Sequence, residues 1–215
     1  AFYDVTGREN VERLSVEFSL SSALFILARG RFSLDKALLE RVEERMRELS
    51  AQALPIEKRT LSTDDAVELF RQAGMDDKAR LLSFRVNSHV NVYSLDGFVD
   101  YFYGYMVPDT GYVRCFALEP FENGFVLRLP AQKDPNQLGD FRPSRKVFRE
   151  LYESNLRAEG LNASNVGELN TTVSQGNATP LILAYEALME KKSGDIAAEI
   201  AARKEGRFVM IAGPS

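Results

Sequence analysis

Asp96-Gly97 separates two β-rich runs, His89 to Leu95 and Phe98 to Tyr103. A two-residue Asp-Gly link favours a turn with positive φ at both central residues, which joins antiparallel strands. The chain must therefore hold at least one antiparallel pair in its middle. Upstream the period differs. Leu38, Leu39, Val42, Met46 and Leu49 recur at helical spacing, with Glu and Arg on the opposite side. Ser33 is the expected N-cap of that helix, with Asp35 near its positive end. Helix periodicity next to hairpin signals predicts an α+β fold, an antiparallel sheet with packed helices.

The remaining elements fit this class. Leu14, Val16, Phe18 and Leu20 alternate with polar residues, as in a half-buried strand. Ala23 to Leu27 reads as a second, buried strand. Ser62 and Asp65 form a short-armed capping box before a helix with Val67, Phe70 and Ala73 on its apolar stripe. Gly74 is placed to end it in the left-handed conformation. A short helix over Asp77 to Leu82, a strand over Val113 to Leu118, a turn at Asn123-Gly124 and a strand over Phe125 to Leu129 complete the front part.

Ala131 to Pro143 carries two prolines and a glycine and reads as a linker. Beyond it the pattern is helical. Val147, Phe148, Leu151, Tyr152 and Leu156 form one stripe ended by Gly160. Thr179-Pro180 is an N-cap and N1 pair for a long helix to about Lys204, with Ser193-Gly194 as a point of bending. Arg207 to Ile211 reads as a short strand. The expected organisation is an α+β domain over 1–130, a helical connector over 131–206 and a further unit beginning at 207–215.

Composition narrows the chemistry. The 215 residues include one His (His89) and one Cys (Cys115), so no HExxH or CxxC spacing exists for a zinc site. No intramolecular disulfide can form, and the single cysteine fits a reducing compartment, so the expected location is cytoplasmic. The net charge of −4 supplies no overall basic field towards nucleic acid or anionic lipid. The longest apolar run, Ala23 to Ala28, is far shorter than the roughly 20 residues of a membrane-spanning helix.

Several residues carry two readings. Tyr101, Phe102, Tyr103, Tyr105 and Tyr112 cluster around Gly104, either as packed sheet or as a pocket that stacks a nucleobase or ribose. Asp100 and Arg128 are charges on apolar strands, paired with each other, with a ligand or with water. With Thr110 they complete the candidate pocket Asp100, Tyr103, Tyr105, Thr110 and Arg128. His89 reads as a surface strand residue and Cys115 as packing.

The tail ends Ile211-Ala212-Gly213-Pro214-Ser215, and Gly213, Pro214 and Ser215 match the first three positions of a phosphate-binding loop. The stretch from Glu186 resembles the approach to that loop in a bacterial group of the uridine kinase and phosphoribulokinase-like family. Glu186, Ala187, Leu188, Glu190, Lys191, Lys192, Ile196, Ala197 and Ile211 to Ser215 carry the match, and Gly167 to Asn170 also resembles the group. The resemblance implies an accessory region of an ATP-dependent nucleoside kinase, with no cofactor in this stretch and ATP and Mg in the parent. The loop's second Gly, its Lys and its Ser/Thr are not in the sequence, so no phosphoryl transfer is expected from it.

Residues 14 to 130 resemble the editing-type second domain of threonyl-tRNA synthetases. Leu54-Pro55-Ile56, Ser62, Ala66, Phe70, Gly74, Lys78, Val99, Asp100, Gly104, Pro108, Thr110, Gly111, Phe116 and Leu118 keep the order and spacing of that family. The nucleoside-kinase group carries such a domain as well. The family motif reads VDLCRGPH, and its Cys and His belong to the editing centre; Phe102 and Met106 stand there in this chain. Neither side chain is an acid or a base at neutral pH.

Three functions remain open: an accessory region of a nucleoside kinase, a module binding a small ligand or a tRNA acceptor end without zinc-dependent hydrolysis, and a degenerate zinc-free deacylase. The expected partners are the downstream kinase domain, a small molecule or a tRNA end, and not a membrane.

Overall fold

The computed structural model describes residues 1–203, 208–211 and 213. The fold is α+β, with antiparallel sheets and packed helices. A four-stranded sheet runs in the order β1 (Val11–Leu20), β2 (Ala23–Gly30), β7 (Gly124–Arg128), β6 (Ala117–Phe121). A second sheet has β4 (His89–Leu95) between β3 (Glu57–Ser62) and β5 (Phe98–Tyr101), and a small hairpin pairs β8 (Pro130–Ala131) with β9 (Asp134–Leu138).

The apolar run in β2 is explained by burial on both faces. Ile26 packs against Leu38, Leu39 and Val42 of α2 (Lys36–Ala51) and against Phe2 of the short α1 (Phe2–Thr6). Phe25 and Leu27 point the other way, onto Phe148 of α5 (Arg145–Gly160). Strands covered on both faces lose alternation and become continuously apolar. The result is a helix–sheet–helix sandwich, and residues beyond 130 supply one of its layers.

β1 departs from simple alternation. Its pairing with β2 slips between Val16 and Phe18, a bulge at Glu17. An extra residue reverses which face the following side chains take. Leu14 packs with the α2 layer, whereas Phe18 and Leu20 pack with the α5 layer. Val16, expected to be buried, is 60% exposed. Glu17 is held by the side chain of Asn155 on α5 at 2.8 Å.

The second sheet is covered on one face. Val90 and Val92 bury against Ala66 and Phe70 of α3 (Thr63–Gln72) and Ala79 and Leu82 of α4 (Asp76–Ser83). The Ser62 hydroxyl caps α3, accepting from the Asp65 amide at 3.1 Å. Gly74 has the expected positive φ, and so do Asp96 and Gly97 at the hairpin turn.

Other expectations shift. Asp35, not Ser33, caps α2, accepting from the Leu38 amide at 2.8 Å. β5 stops at Tyr101, and the strand expected over Val113 to Leu118 begins only at Ala117, after a 3-10 turn at Thr110–Tyr112 and four residues outside any helix or strand. The turn between β6 and β7 is Glu122-Asn123, with positive φ at Glu122. Gly124 is the first residue of β7, where a Cβ would stand 2.4 Å from the Ile26 carbonyl oxygen. The expected linker contains the β8–β9 hairpin.

α6 (Val166–Ser174), which shows little apolar periodicity, packs on α4. α7 (Ala178–Ala202) begins before Thr179-Pro180, with Asn177 at the cap, and runs unbroken through Ser193-Gly194. None of its residues is buried, and Lys192 pairs it to Glu150 of α5. No helix of the described residues is long and apolar enough to cross a membrane. Phe208 to Ile211 form no strand, and Arg207 lies outside the described residues.

Candidate functional site

The face of the second sheet turned away from α3 and α4 carries the candidate site. In the β3–β4 register Lys58 stands opposite Tyr93, Thr60 opposite Asn91 and Ser62 opposite His89. Directly opposed residues share a face, and Val90 and Val92 take the other one. Lys58, Thr60, His89, Asn91 and Tyr93 therefore face outwards together.

The segment after β5 folds back over this surface. The Tyr93 hydroxyl donates to the Gly104 carbonyl at 2.7 Å, and Phe102 meets the Tyr93 ring edge-on with centroids 6.3 Å apart. The far end of the segment is fixed where the Ile56 amide donates to the Pro108 carbonyl at 2.8 Å. Between these anchors Tyr103 and Tyr105 project into solvent, 89% and 94% exposed.

A cleft of about 330 Å³ results at the edge of this surface, bounded by Lys58, His89, Val90 and Asn91 on the strands, by Arg85 and Asn87 before β4, and by Tyr101 to Tyr105. That volume is within the range of small-ligand sites. The Lys58 ammonium lies 5.0 Å from the Tyr105 ring centroid. The Arg85 guanidinium lies 5.3 Å from the Tyr101 ring and 5.9 Å from the Tyr103 ring, and it donates to the Tyr101 hydroxyl. Among the described residues no carboxylate lines the cleft. Thr60 donates to the Asn91 side-chain carbonyl at 2.9 Å, which leaves the Asn91 amide hydrogens to the cleft.

Of the five residues expected to form a pocket, Tyr103 and Tyr105 come together here and the other three lie elsewhere. Asp100 accepts from the Lys78 ammonium of α4 and from the Tyr101 amide at 2.6 Å. Arg128 pairs with Glu119 at 2.8 Å and donates to the Gly139 carbonyl at 2.7 Å, so it does not meet Asp100. Thr110 is 8% exposed; its hydroxyl donates to the Leu49 carbonyl at 2.5 Å and accepts from the Leu54 amide at 2.9 Å. It fastens the end of α2 to the 3-10 turn. His89, expected as a plain surface residue, is in the cleft with Nδ1 2.8 Å from the Ser88 hydroxyl.

Sequence reading missed Lys58, Arg85, Asn87 and Asn91. One signal was present: Glu57-Lys58-Arg59-Thr60 is polar at every position, which suits an edge strand with an open face.

Two other regions differ. A cleft of about 470 Å³ between α4, α6 and the start of α7 holds Arg80 and Glu168, 4.0 Å apart and so neutralising one another. The Ser164 hydroxyl, above all, and then its amide hold the Glu168 carboxyl below the usual glutamate range, against partial burial. Gly213 belongs to no helix or strand, and Pro214 and Ser215 lie outside the described residues. Among the described residues no group of three His, Cys, Asp or Glu side chains is arranged to hold a metal ion.

No family model matches the chain. Over 80 residues it is 41% identical to the threonine–tRNA ligase of Geobacter sp. (strain M21), covering 37% of this chain and 13% of that protein. The threonine–tRNA ligase of Methylococcus capsulatus is 41% identical over 81 residues, and that of Paraburkholderia xenovorans 37% over 81 residues, with the same coverage of each chain. The chain thus spans about 13% of the length of these relatives. A region of about 80 residues is threonyl-tRNA synthetase-like. These relatives give the nucleoside-kinase resemblance no support.

Proposed function

We propose that this chain is a binding module related to an aminoacyl-tRNA editing domain, which holds a tRNA acceptor end or a small ligand without zinc-dependent hydrolysis. The observation that carries this reading is the cleft itself. Tyr103 and Tyr105 present exposed rings beside two cations at the rim of the segment that folds over the second sheet. Exposed tyrosines anchored at both ends of a short segment are a stacking platform for bases, and stacking tolerates any base because each has a π-face. The likeness to threonine–tRNA ligases supports a tRNA end as ligand.

The non-hydrolytic part rests on Phe102 and Met106. The editing-type motif has Cys and His at these places, and neither replacement can move a proton or bind zinc well. Asp100 beside them is tied to Lys78.

Titration of the protein with a CCA-ended RNA minihelix, adenosine and threonine tests the reading. Saturable binding of at least one, lost on combining Tyr103→Ala with Tyr105→Ala, is the expected result. No saturable binding of any would remove it. Deacylation of an aminoacylated minihelix should proceed no faster than in buffer, and a faster rate would overturn the non-hydrolytic assignment.

A further inference from the structure

We propose that the cleft takes a ligand through its phosphate, gripped by Lys58 and Arg85, while a base or sugar lies against Tyr103 and Tyr105. The inference rests on the binding-module reading and adds the charge and chemical class of the ligand.

The charge pattern carries it. The chain as a whole is acidic, with a net charge of −4. A cleft on an average part of such a surface would hold carboxylates; among the described residues this one holds two cations, Lys58 and Arg85, and no carboxylate. Among the described residues Lys58 and Arg85 rest against tyrosine rings instead of acid partners. Lys58 is exposed, and Arg85 is half-buried with one N–H given to the Tyr101 hydroxyl. Cation–π contact is weak at exposed sites, and the remaining guanidinium N–H groups of Arg85 are open to an anion.

The neutral polar groups point the same way. Thr60 ties up the carbonyl oxygen of the Asn91 side chain, so that residue offers donors to the cleft. Donors and cations around an aromatic platform suit a phosphate next to a flat ring. They suit a free amino acid poorly, because among the described residues no acid lines the cleft to receive its ammonium group. Arg85 can meet a phosphate with two parallel N–H groups, whereas Lys58 acts as a point charge.

Two sources supply this chemistry: a free nucleotide and a single-stranded RNA end. Binding of adenosine, AMP and a short RNA ending in CCA can be followed by tyrosine fluorescence, since the protein has eight Tyr and no Trp. AMP or the RNA should bind at least ten-fold more tightly than adenosine. The preferred phosphate ligand should weaken as salt rises, and Lys58→Gln should weaken it about ten-fold with an unchanged circular dichroism spectrum.

A strand end would show the RNA binding more tightly than AMP, with a log–log salt slope of about −0.7 for the one phosphate gripped. A free nucleotide would show AMP binding at least as tightly as the RNA. Adenosine binding as tightly as the phosphate ligands, with no salt dependence, would overturn the phosphate assignment and leave the binding module standing. Absence of binding by all three ligands would overturn both.

Discussion

Phe148 of α5 stands edge-on to Phe25 of β2, with ring centroids 4.9 Å apart and planes at 84°. Phe25 is fully buried and Phe148 nearly so, and Phe18, Phe121 and Tyr152 surround the pair. This contact makes α5 a layer of the first sheet's core.

Phe148→Ala should therefore lower unfolding free energy by about 3–5 kcal/mol, the usual cost of emptying a phenylalanine site. Urea denaturation followed by circular dichroism measures it. A change under about 1 kcal/mol, as for an exposed side chain, would mean that α5 does not seal the sheet.

Gly124 and Gly194 should respond in opposite directions to alanine. At Gly124 the new methyl would press on the Ile26 carbonyl, and overpacking of this kind costs about 1–3 kcal/mol. At Gly194, in exposed α7, nothing stands within 4 Å, and alanine should stabilise by up to about 1 kcal/mol. Paired thermal melts compare the two.

Thr110→Val should destabilise the fold without altering the cleft's ligand affinity. The change strips the Leu54 amide of its hydroxyl partner in a buried place, a cost of about 1–3 kcal/mol. Tyr103→Ala and Tyr105→Ala should do the reverse. Their rings are almost fully exposed, so stability should stay within about 0.5 kcal/mol while stacking worth about 1–3 kcal/mol per base is lost.

Glu168 should make stability fall in acid. Its carboxyl is held below the ordinary value chiefly by the Ser164 hydroxyl, so the folded state gives up the proton more readily than the unfolded chain. The stabilisation is complete above the unfolded value, about pH 4.3, and is lost as pH falls through the lower folded value. Glu168→Gln should flatten the pH dependence of unfolding below about pH 4.3 and leave its slope at neutral pH unchanged.

Much of the fold was legible because its signals are local. The Asp96-Gly97 turn follows from the φ values those two residues tolerate, and the Ser62 cap from a hydroxyl three residues before an amide. Misreadings arose where a non-local contact overrode a local pattern. Leu14 to Leu20 alternates in sequence, yet the Glu17 bulge turns its second half to the other face, where α5 offers a core. Asn123-Gly124 has the composition of a turn, but the turn falls one residue earlier, because Gly124 opens β7 in close approach to Ile26. The stretch after Ala131 is rich in turn formers and still pairs as a hairpin.

The amino-acid sequence by itself determined the α+β class, most helices and strands, the exclusion of an intramolecular disulfide and of thiolate–histidine zinc motifs, and the aromatic character of residues 101 to 105. These follow from backbone preferences, side-chain periods and residue counts, none of which needs a distant partner. Only the tertiary structure decided which residues share a site. Lys58, Arg85 and Tyr105 are far apart in the chain, and strand register together with the Tyr93–Gly104 and Ile56–Pro108 bonds gathers them into one cleft. The same packing removed Asp100, Thr110 and Arg128 from the expected pocket by giving each a partner elsewhere. A charge or hydroxyl in a sequence carries its chemistry with it, but its partner is chosen only when the chain closes.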